Sequence, residues 1–160
     1  MTYLPTIALS VRQPWAWAII HGGKDVENRS TFAVTKGSID ARRIAVHAAK
    51  GMTRHEYEYA RGFMARIGVD CPCPDALARG AIIGSVTVKA VLKSYPSRWF
   101  MGPKGLVLED PVAFDPIPAI GALGYFEWKR SGAIPEPLPW MISWPGRKAE
   151  QVTLFDEARS

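Results

Sequence analysis

The sequence predicts an α+β fold in which a small β-barrel is packed by two main helices. One helical segment ends at paired glycines and a second opens with a capping box, so both carry recognisable boundaries. Residues 82–92 alternate between apolar and mostly polar side chains, as the wall of a barrel with one buried face does. At 160 residues, 48% apolar and 22% charged, the chain can bury the core of one such domain.

The first strand and helix are indicated by the N-terminal stretch. Residues 7–11 are predicted to form a short buried strand. Pro14 follows at a helix-start position, where its missing N–H costs nothing, and Gly22 and Gly23 end the helix. Residues 26–29 then continue as an extended segment.

The second helix and the central strands follow in order. Thr53 and Glu56 have the spacing of a capping box, and apolar residues recur at helical spacing until Gly68. Before this helix, residues 39–48 predict a hairpin-like pair of strands or one longer strand. After it, residues 82–92 form the clearest strand of the chain.

The C-terminal part divides into two short strands and an arm. Strands are predicted at residues 106–109 and 124–128. The later prolines, at positions 135, 137, 139 and 145, favour an extended arm that carries a polar tail. We therefore predict one domain over residues 1–130 and an arm with its tail over residues 131–160.

Positive charge is concentrated in the first part of the chain. The formal net charge is +5, and residues 1–66 hold ten Lys or Arg against five Asp or Glu. Residues 67–160 hold ten of each kind, so the whole excess precedes residue 67. A localised excess of this kind indicates a surface that phosphates can reach.

Composition also predicts what the chain is not. No apolar run approaches a membrane span of about 20 residues, and the N-terminus lacks the layout of a secretory signal, so we expect a cytoplasmic protein without membrane contact. Cys71 and Cys73 have no second Cys or His pair at zinc-ligand spacing, which predicts two reduced thiols and no metal site. No cofactor is expected.

A set of short motifs carries a family resemblance. It comprises LSVRQPWA at residues 9–16, G-x-K-x-x-E-x-R at 22–29, IAVHAAK at 44–50, RGAIIG at 79–84, the stretch 99–108 and P-x-P-x-x-G-x-x-G at 116–124. Together they resemble the ASCH domain of bacterial or phage type, a member of the PUA-like superfamily. The resemblance covers residues 6–128. It implies a PUA-like β-barrel associated with RNA and modified nucleobases.

The same motifs supply candidate binding residues for a cleft where the first helix, residues 24–29 and the loop at residue 99 converge. Cationic and planar donors suit phosphates and base edges, and tryptophan rings suit stacking. The candidates are Arg12, Gln13, Trp15, Trp17, Arg29, Lys50, Ser97 and Trp99. We predict recognition of RNA, of another single-stranded nucleic acid, or of a modified nucleoside.

The two tryptophans of the first helix cannot share a face. They are two residues apart, so their side chains point about 200° from each other around the helix. Trp15 has Ala18 and Ile19 beside it and is predicted to pack inward, which leaves Trp17 to stack on ligand. Tertiary packing could reverse the assignment.

An enzymatic alternative centres on Lys24 and Glu27. In branches of the family with amidohydrolase activity on acylated cytidine, a lysine at this position works with a hydroxyl three residues later and with a carboxylate after the central strand. This chain has Glu27 in place of the hydroxyl and no carboxylate within residues 94–105. Because a neighbouring carboxylate raises a lysine pKa, Lys24 is expected to be a poor base.

A second enzymatic alternative is RNA cleavage. Metal-free strand scission requires an acid–base pair and a cation, and His47, Lys24 and Lys50 are the available groups. His47 faces away from the apolar side of its predicted strand, so we expect it to line the mouth of the cleft.

The tail carries a separate motif. Residues 151–155, QVTLF, resemble the peptide by which many bacterial and phage proteins dock onto the replication sliding clamp. Gln151 would form hydrogen bonds, and Leu154 and Phe155 would fill an apolar pocket of the clamp. The alternative is that these two side chains fold back onto their own domain.

Overall fold

A computed structural model describes residues 4–30 and 42–146 of the chain. Six strands are present in that part: β1 (Ile7–Val11), β2 (Val26–Arg29), β3 (Arg42–Ala48), β4 (Ala81–Leu92), β5 (Lys104–Pro118) and β6 (Tyr125–Glu127). The helices are α1 (Trp15–His21), α2 (Arg54–Arg66), a short α3 (Pro139–Ile142) and one 3₁₀ turn (Pro74–Ala76).

The strands form one curled sheet with the shape of a half-barrel. Its order is β2-β5-β4-β3-β1-β6, in which β1 and β3 are parallel and the other neighbours are antiparallel. The sheet and its helices confirm the predicted α+β fold. Strong curvature is consistent with the register shifts that interrupt the pairing of β4 with β5 and of β3 with β4.

Local signals in the sequence set the ends of both main helices. Thr53 and Glu56 exchange the two hydrogen bonds of the capping box at the start of α2, as predicted. Helix α1 begins after Pro14 and ends at Gly22, and Gly23 follows with a φ of +76°, a conformation that favours glycine.

The core occupies both faces of the sheet. On one face α1 packs across β3, β4 and β5 and buries Ala16, Ile19 and Ile20. On the other face Ala8, Ala45 and Ile82 pack beneath Phe126 and Trp128. Strand β3 is therefore covered on both sides, which explains why residues 44–48 are all buried.

Strand β5 is much longer than the predicted segment 106–109. Prolines at positions 111, 116 and 118 argue against a strand, because proline donates no hydrogen bond to a ladder. The pairing with β4 nevertheless continues to Pro118 through three register shifts. Asp110 lies at one irregular point with a φ of 53°, so tertiary pairing overrides local propensity there.

The described part of the Pro-rich segment packs on the domain and does not extend away from it. Met141 is fully buried, and Trp140 and Trp144 lie with ring centroids 5.9 and 5.0 Å from that of Tyr57 on α2. Arg79 donates a hydrogen bond to the carbonyl of Glu136. Within the described part of this segment, Trp140, Met141 and Trp144 pack against the domain, whereas the division of the chain at residue 130 stays a prediction.

Candidate nucleic-acid-binding site

A cleft opens where the end of β1, the start of α1, β2 and α2 meet the loop before β5. Its volume is about 370 Å³, within the range of ligand pockets of roughly 300–1,000 Å³. The structure brings six of the predicted residues together in its lining: Arg12, Trp15, Lys24, Glu27, Arg29 and Trp99.

Three aromatic rings form the apolar wall of the cleft. The Trp15 ring meets Phe63 and Trp99 edge to face, with centroid distances of 5.7 and 6.4 Å, and Phe63 lies 5.8 Å from Trp99. Tyr59 and Met101 also line the cleft and remain about half exposed at its rim. Flat rings and a polarisable thioether provide surfaces on which a base can stack.

A buried charged triad forms the floor. Lys24 is only 4% exposed, and its Nζ donates to the carbonyl of Val26. The same Nζ lies 3.5 Å from Oε2 of Glu27 and 5.7 Å from the ring centroids of both Trp15 and Trp99. Lys24 therefore connects the charged floor to the aromatic wall through cation–π contacts.

Burial lowers the pKa of Lys24 below its ordinary value of 10.5, although Glu27 acts in the opposite direction. From its place in the sequence, Glu27 was expected to raise this pKa. Glu27 does act in that direction, but the net shift is downward because desolvation of the ammonium group outweighs the attraction of Glu27. A lysine so placed loses its proton more readily than one at the surface.

Arg29 completes the triad, in which two buried polar atoms make no hydrogen bond to any described residue. Its Nη2 donates to the carbonyl of Ser10 at 2.8 Å, and its Nε lies 3.6 Å from Oε1 of Glu27. Within the described residues, Nε of Arg29 and Oε2 of Glu27 are buried without a hydrogen-bond partner. Each atom has an ion-pair contact at 3.5 or 3.6 Å but no hydrogen bond among these residues, and a buried polar group without a hydrogen bond is costly unless a ligand or water satisfies it.

Arg12 lies at the rim of the cleft. Its Nε and Nη2 donate to the two carboxylate oxygens of Glu56, at 2.9 and 2.8 Å. This fork joins the β1–α1 junction to the capping box of α2 and lowers the pKa of Glu56. Half of the Arg12 side chain remains exposed, so it can also meet an anion.

Gln13 and Ser97 hold the backbone and do not face the ligand space. Gln13 is 2% exposed, donates from Nε2 to the carbonyl of Ala78 and accepts from the N–H of Trp17. Ser97 donates to Asp25 and accepts from the N–H of Trp99. Neither residue lines the cleft, so in this structure they position the backbone around it.

The two tryptophans of α1 have exchanged their predicted places. Trp15 lines the cleft, whereas Trp17 packs against the apolar cluster beneath α2 and lies beside His21. Helical geometry correctly places them on different faces. It could not identify the cleft side, because the sheet and α2 cover different parts of the same short helix.

His47 does not enter the Lys24 cleft. It faces away from Ile44 and Val46, as expected, but that face of β3 is covered by Phe126 and the loop before β6. His47 is 1% exposed and bonds to Ser10 Oγ and to the carbonyl of Ala119. The ribonuclease alternative thereby loses its proposed acid–base partner for Lys24.

Several site residues were missed from the sequence. Tyr59 and Phe63 stand four apart on α2, one position beside the apolar stripe used to predict the helix, and this second stripe was the available signal. Asn28 donates from Nδ2 to the carbonyl of Trp99 and accepts from the N–H of Met101, which fixes the loop that carries both.

The remaining predicted residues lie elsewhere. Lys50 is exposed beside a second cavity that His47 also lines. Cys71 and Cys73 are buried and unbridged, and burial raises the pKa of Cys71 to about 11. Gln151, Leu154 and Phe155 fall outside the described residues. None of the helices in residues 4–30 and 42–146 is long and apolar enough to cross a membrane.

Comparison with known proteins identifies the domain. The profile of the ASCH domain matches residues 9–136, which include the whole cleft and all six strands except the first two residues of β1. No curated protein matches the chain significantly.

Proposed function

Because the chain belongs to the ASCH domain family, which points to nucleic-acid binding in general, we propose that the cleft at Lys24 binds one unstacked nucleobase of a nucleic acid or modified nucleoside. Trp15 and Trp99 supply the stacking surfaces. Glu27 and Arg29 contact the edge of the base. This mode resembles the recognition of splayed or flipped bases by aromatic pockets.

The two buried polar atoms without a hydrogen bond on the cleft floor carry the proposal. Oε2 of Glu27 can only accept a hydrogen bond when ionised, and Nε of Arg29 can only donate one. Cytosine and adenine each present an exocyclic amine next to a ring nitrogen, which is the complementary pattern. Uracil presents a carbonyl where the amine would be, and a carboxylate repels that oxygen.

The electrostatics of the cleft support a polyanionic ligand. Arg12, Lys24 and Arg29 line it against the single carboxylate of Glu27. Arg12 lies at the half-exposed rim, where a phosphate can approach without displacing the buried triad. Stacking then holds the base, while the cationic side chains contact the phosphates of the nucleic acid.

A base-selectivity measurement tests the proposal. Fluorescence anisotropy should show tighter binding of oligocytidylate or oligoadenylate than of oligouridylate. Glu27→Gln should reduce this preference, because an amide can also donate to a carbonyl. Lys89→Gln is a matched control, since that lysine lies on the exposed part of β4 and does not line the cleft. Equal affinity of the wild type for all three polymers would contradict the proposed edge recognition.

One observation favours a second candidate, an amidohydrolase acting on acylated cytidine. The lowered pKa of Lys24 makes its amine a better base than the sequence indicated, and Glu27 lies 3.5 Å away to exchange a proton. Lys24 would take a proton from water as the water attacks the acyl carbonyl. The proton would then return to the departing nucleoside amine.

Turnover distinguishes this enzyme from a binding domain. Release of cytidine and free acid from an acylated cytidine, followed by chromatography, should be abolished in Lys24→Met and retained in Lys50→Met. The control lysine is exposed and outside the Lys24 cleft. Absence of turnover by the wild type would leave the binding function alone.

A further inference from the structure

We propose that the cleft is one end of a longer groove, and that its ligand is a single-stranded oligonucleotide whose neighbouring nucleotide occupies the second cavity, beside His47 and Lys50. This inference rests on the proposed function and extends it. It assigns a role to a cavity that base recognition at Lys24 leaves unused. The free nucleoside would then be a minimal ligand that fills only half of the site.

Ser10 joins the two cavities. It lines both of them, and the second has a volume of about 330 Å³, close to that of the first. Its carbonyl accepts from Arg29 on the cleft floor, and its hydroxyl bonds to Nδ1 of His47 at 2.9 Å. The linings of the two cavities therefore meet at Ser10.

Each cavity has an exposed cationic side chain in its lining. Arg12 lines the first cavity and Lys50 lines the second, and both side chains are exposed enough to reach solvent. Glu56 engages Nε and Nη2 of Arg12, and Nη1 has no hydrogen-bond partner among the residues the structure describes. Among the described residues, no acidic side chain lines the second cavity, so a phosphate placed there meets no carboxylate of this part of the chain.

The walls of the second cavity suit a base or sugar. Gly80 and Gly121 line it without side chains, and Ile120 lies 75% exposed at its edge. A Cβ at Gly121 would stand 2.8 Å from Cε1 of His47, so glycine is required for the loop to approach the ring. His47 has both nitrogens engaged and serves as a wall of the cavity.

A length series tests the groove. Fluorescence anisotropy would compare oligocytidylates from one to eight nucleotides, as RNA and as DNA. The wild type should gain tenfold or more in affinity between one nucleotide and about four, because a second nucleotide and its phosphate add contacts. A preference for the RNA series would identify the 2′-hydroxyl as a further contact, whereas equal affinities would mean that the groove reads only base and phosphate.

Two variants address the second cavity alone. Ala133→Trp places a large ring at an exposed lining position, and Lys50→Ala removes the cation. Each should weaken binding of the octamer about tenfold and leave affinity for the mononucleotide unchanged. Lys50→Ala should also reduce the slope of log affinity against log salt concentration by about one. Ala113→Trp and Lys93→Ala are matched controls at exposed positions that line neither cavity.

The outcomes separate this inference from the proposed function. If affinity does not grow with length, or if Ala133→Trp binds the octamer as the wild type does, the groove is overturned. In that case loss of mononucleotide binding in Trp99→Leu would still support the base cleft. If Trp99→Leu binds every oligomer normally, both the cleft and the groove fail.

Discussion

Nζ of Lys24 lies 3.5 Å from Oε2 of Glu27, with both side chains nearly buried at the floor of an aromatic cleft. The glycine pair after α1 turns the chain so that these residues, three apart, meet at the start of β2. Leaving one partner alone in this position is costly, because a buried charge then lacks compensation. The pair therefore links the stability of the domain to the chemistry of its cleft.

Glu27→Gln should make stability more dependent on pH. Burial lowers the pKa of Lys24 below 10.5, so between the folded pKa and 10.5 the unfolded chain holds a proton that the folded chain has released. The contribution of Lys24 to the free energy of unfolding consequently rises with pH across that window and is lost as pH falls through the folded pKa. Removing Glu27 lowers that pKa further.

Urea denaturation would measure this effect. The variant should lose about 1–3 kcal/mol near pH 7 and less near pH 10, because raising the pH removes the Lys24 proton whose charge Glu27 balances. The same loss at both pH values would contradict the coupling between Lys24 and Glu27.

Trp15 and Trp17 provide a matched test of the cleft. Trp15→Leu should weaken oligonucleotide binding by about 1–3 kcal/mol, the value of one base–aromatic stack, whereas Trp17→Leu should leave binding unchanged. Both replacements remove an indole from the same helix, and only Trp15 lines the cleft. Anisotropy titrations on folded variants would decide, and equal losses would contradict the assignment of the stacking residue.

This pair also shows how far the sequence could lead. The ends of α1 and α2 depend on Pro14, Gly22 and the box of Thr53 with Glu56, all local signals, and they were predicted correctly. Which side of α1 faces the cleft depends on where the sheet and α2 lie, which is a nonlocal property.

The remaining differences have the same origin. His47 was placed on the correct face of β3, but the cover over that face comes from residues about 70 positions later in the chain. The lowered pKa of Lys24 likewise depends on burial by Trp15 and Trp99, and adjacent sequence shows only the carboxylate. Sequence spacing identified His47 and Lys24 as candidate groups, but the burial that sets their pKa values comes from the packing of distant residues.

His47 should contribute to loss of stability in mild acid. Burial lowers its pKa below 6.5, although the bond to Ala119 opposes the shift. As pH falls from 6.5 towards the folded pKa, the unfolded chain binds a proton that the folded chain does not, so stability falls. Each unit of lowering corresponds to about 1.4 kcal/mol.

The variant His47→Gln keeps a donor and an acceptor but does not titrate. Its free energy of unfolding should be lower than that of the wild type near pH 7.5 and should change less between about pH 7.5 and 5.5. Urea denaturation at the two pH values measures both quantities. A variant with the full pH slope of the wild type would show that other groups cause it.

Met141 tests whether residues 131–146 belong to the folded domain. It is fully buried beside Tyr57, so Met141→Ala should cost about 2–5 kcal/mol through lost packing and the cavity left behind. Ile142 is adjacent but 47% exposed, and Ile142→Ala should change stability by less than about 0.5 kcal/mol. Thermal denaturation compares the two, and equal effects would contradict the packing of α3.

The tail peptide at residues 151–155 remains a prediction with its own test. Since Trp144 packs on Tyr57, truncation after residue 146 removes the peptide and keeps that contact. If Leu154 and Phe155 dock on a sliding clamp, the truncated chain should keep its melting temperature and lose clamp binding in calorimetry. Burying two such side chains contributes on the order of 3–6 kcal/mol before ordering costs, less than the roughly 8 kcal/mol of a micromolar complex, so the hydrogen bonds of Gln151 would have to supply the rest.

The replacement of Leu154 and Phe155 by Ala in the full chain should abolish clamp binding in the same way, while Val152→Ala, between the fixed positions of the motif, should preserve it. A clear drop in melting temperature on truncation, with no clamp binding by the intact chain, would instead mean that the two apolar side chains complete their own domain. The distinction is physical, because the same pair of large side chains can be buried against one surface only at a time. Whichever surface binds them will lose stability or affinity when they are removed.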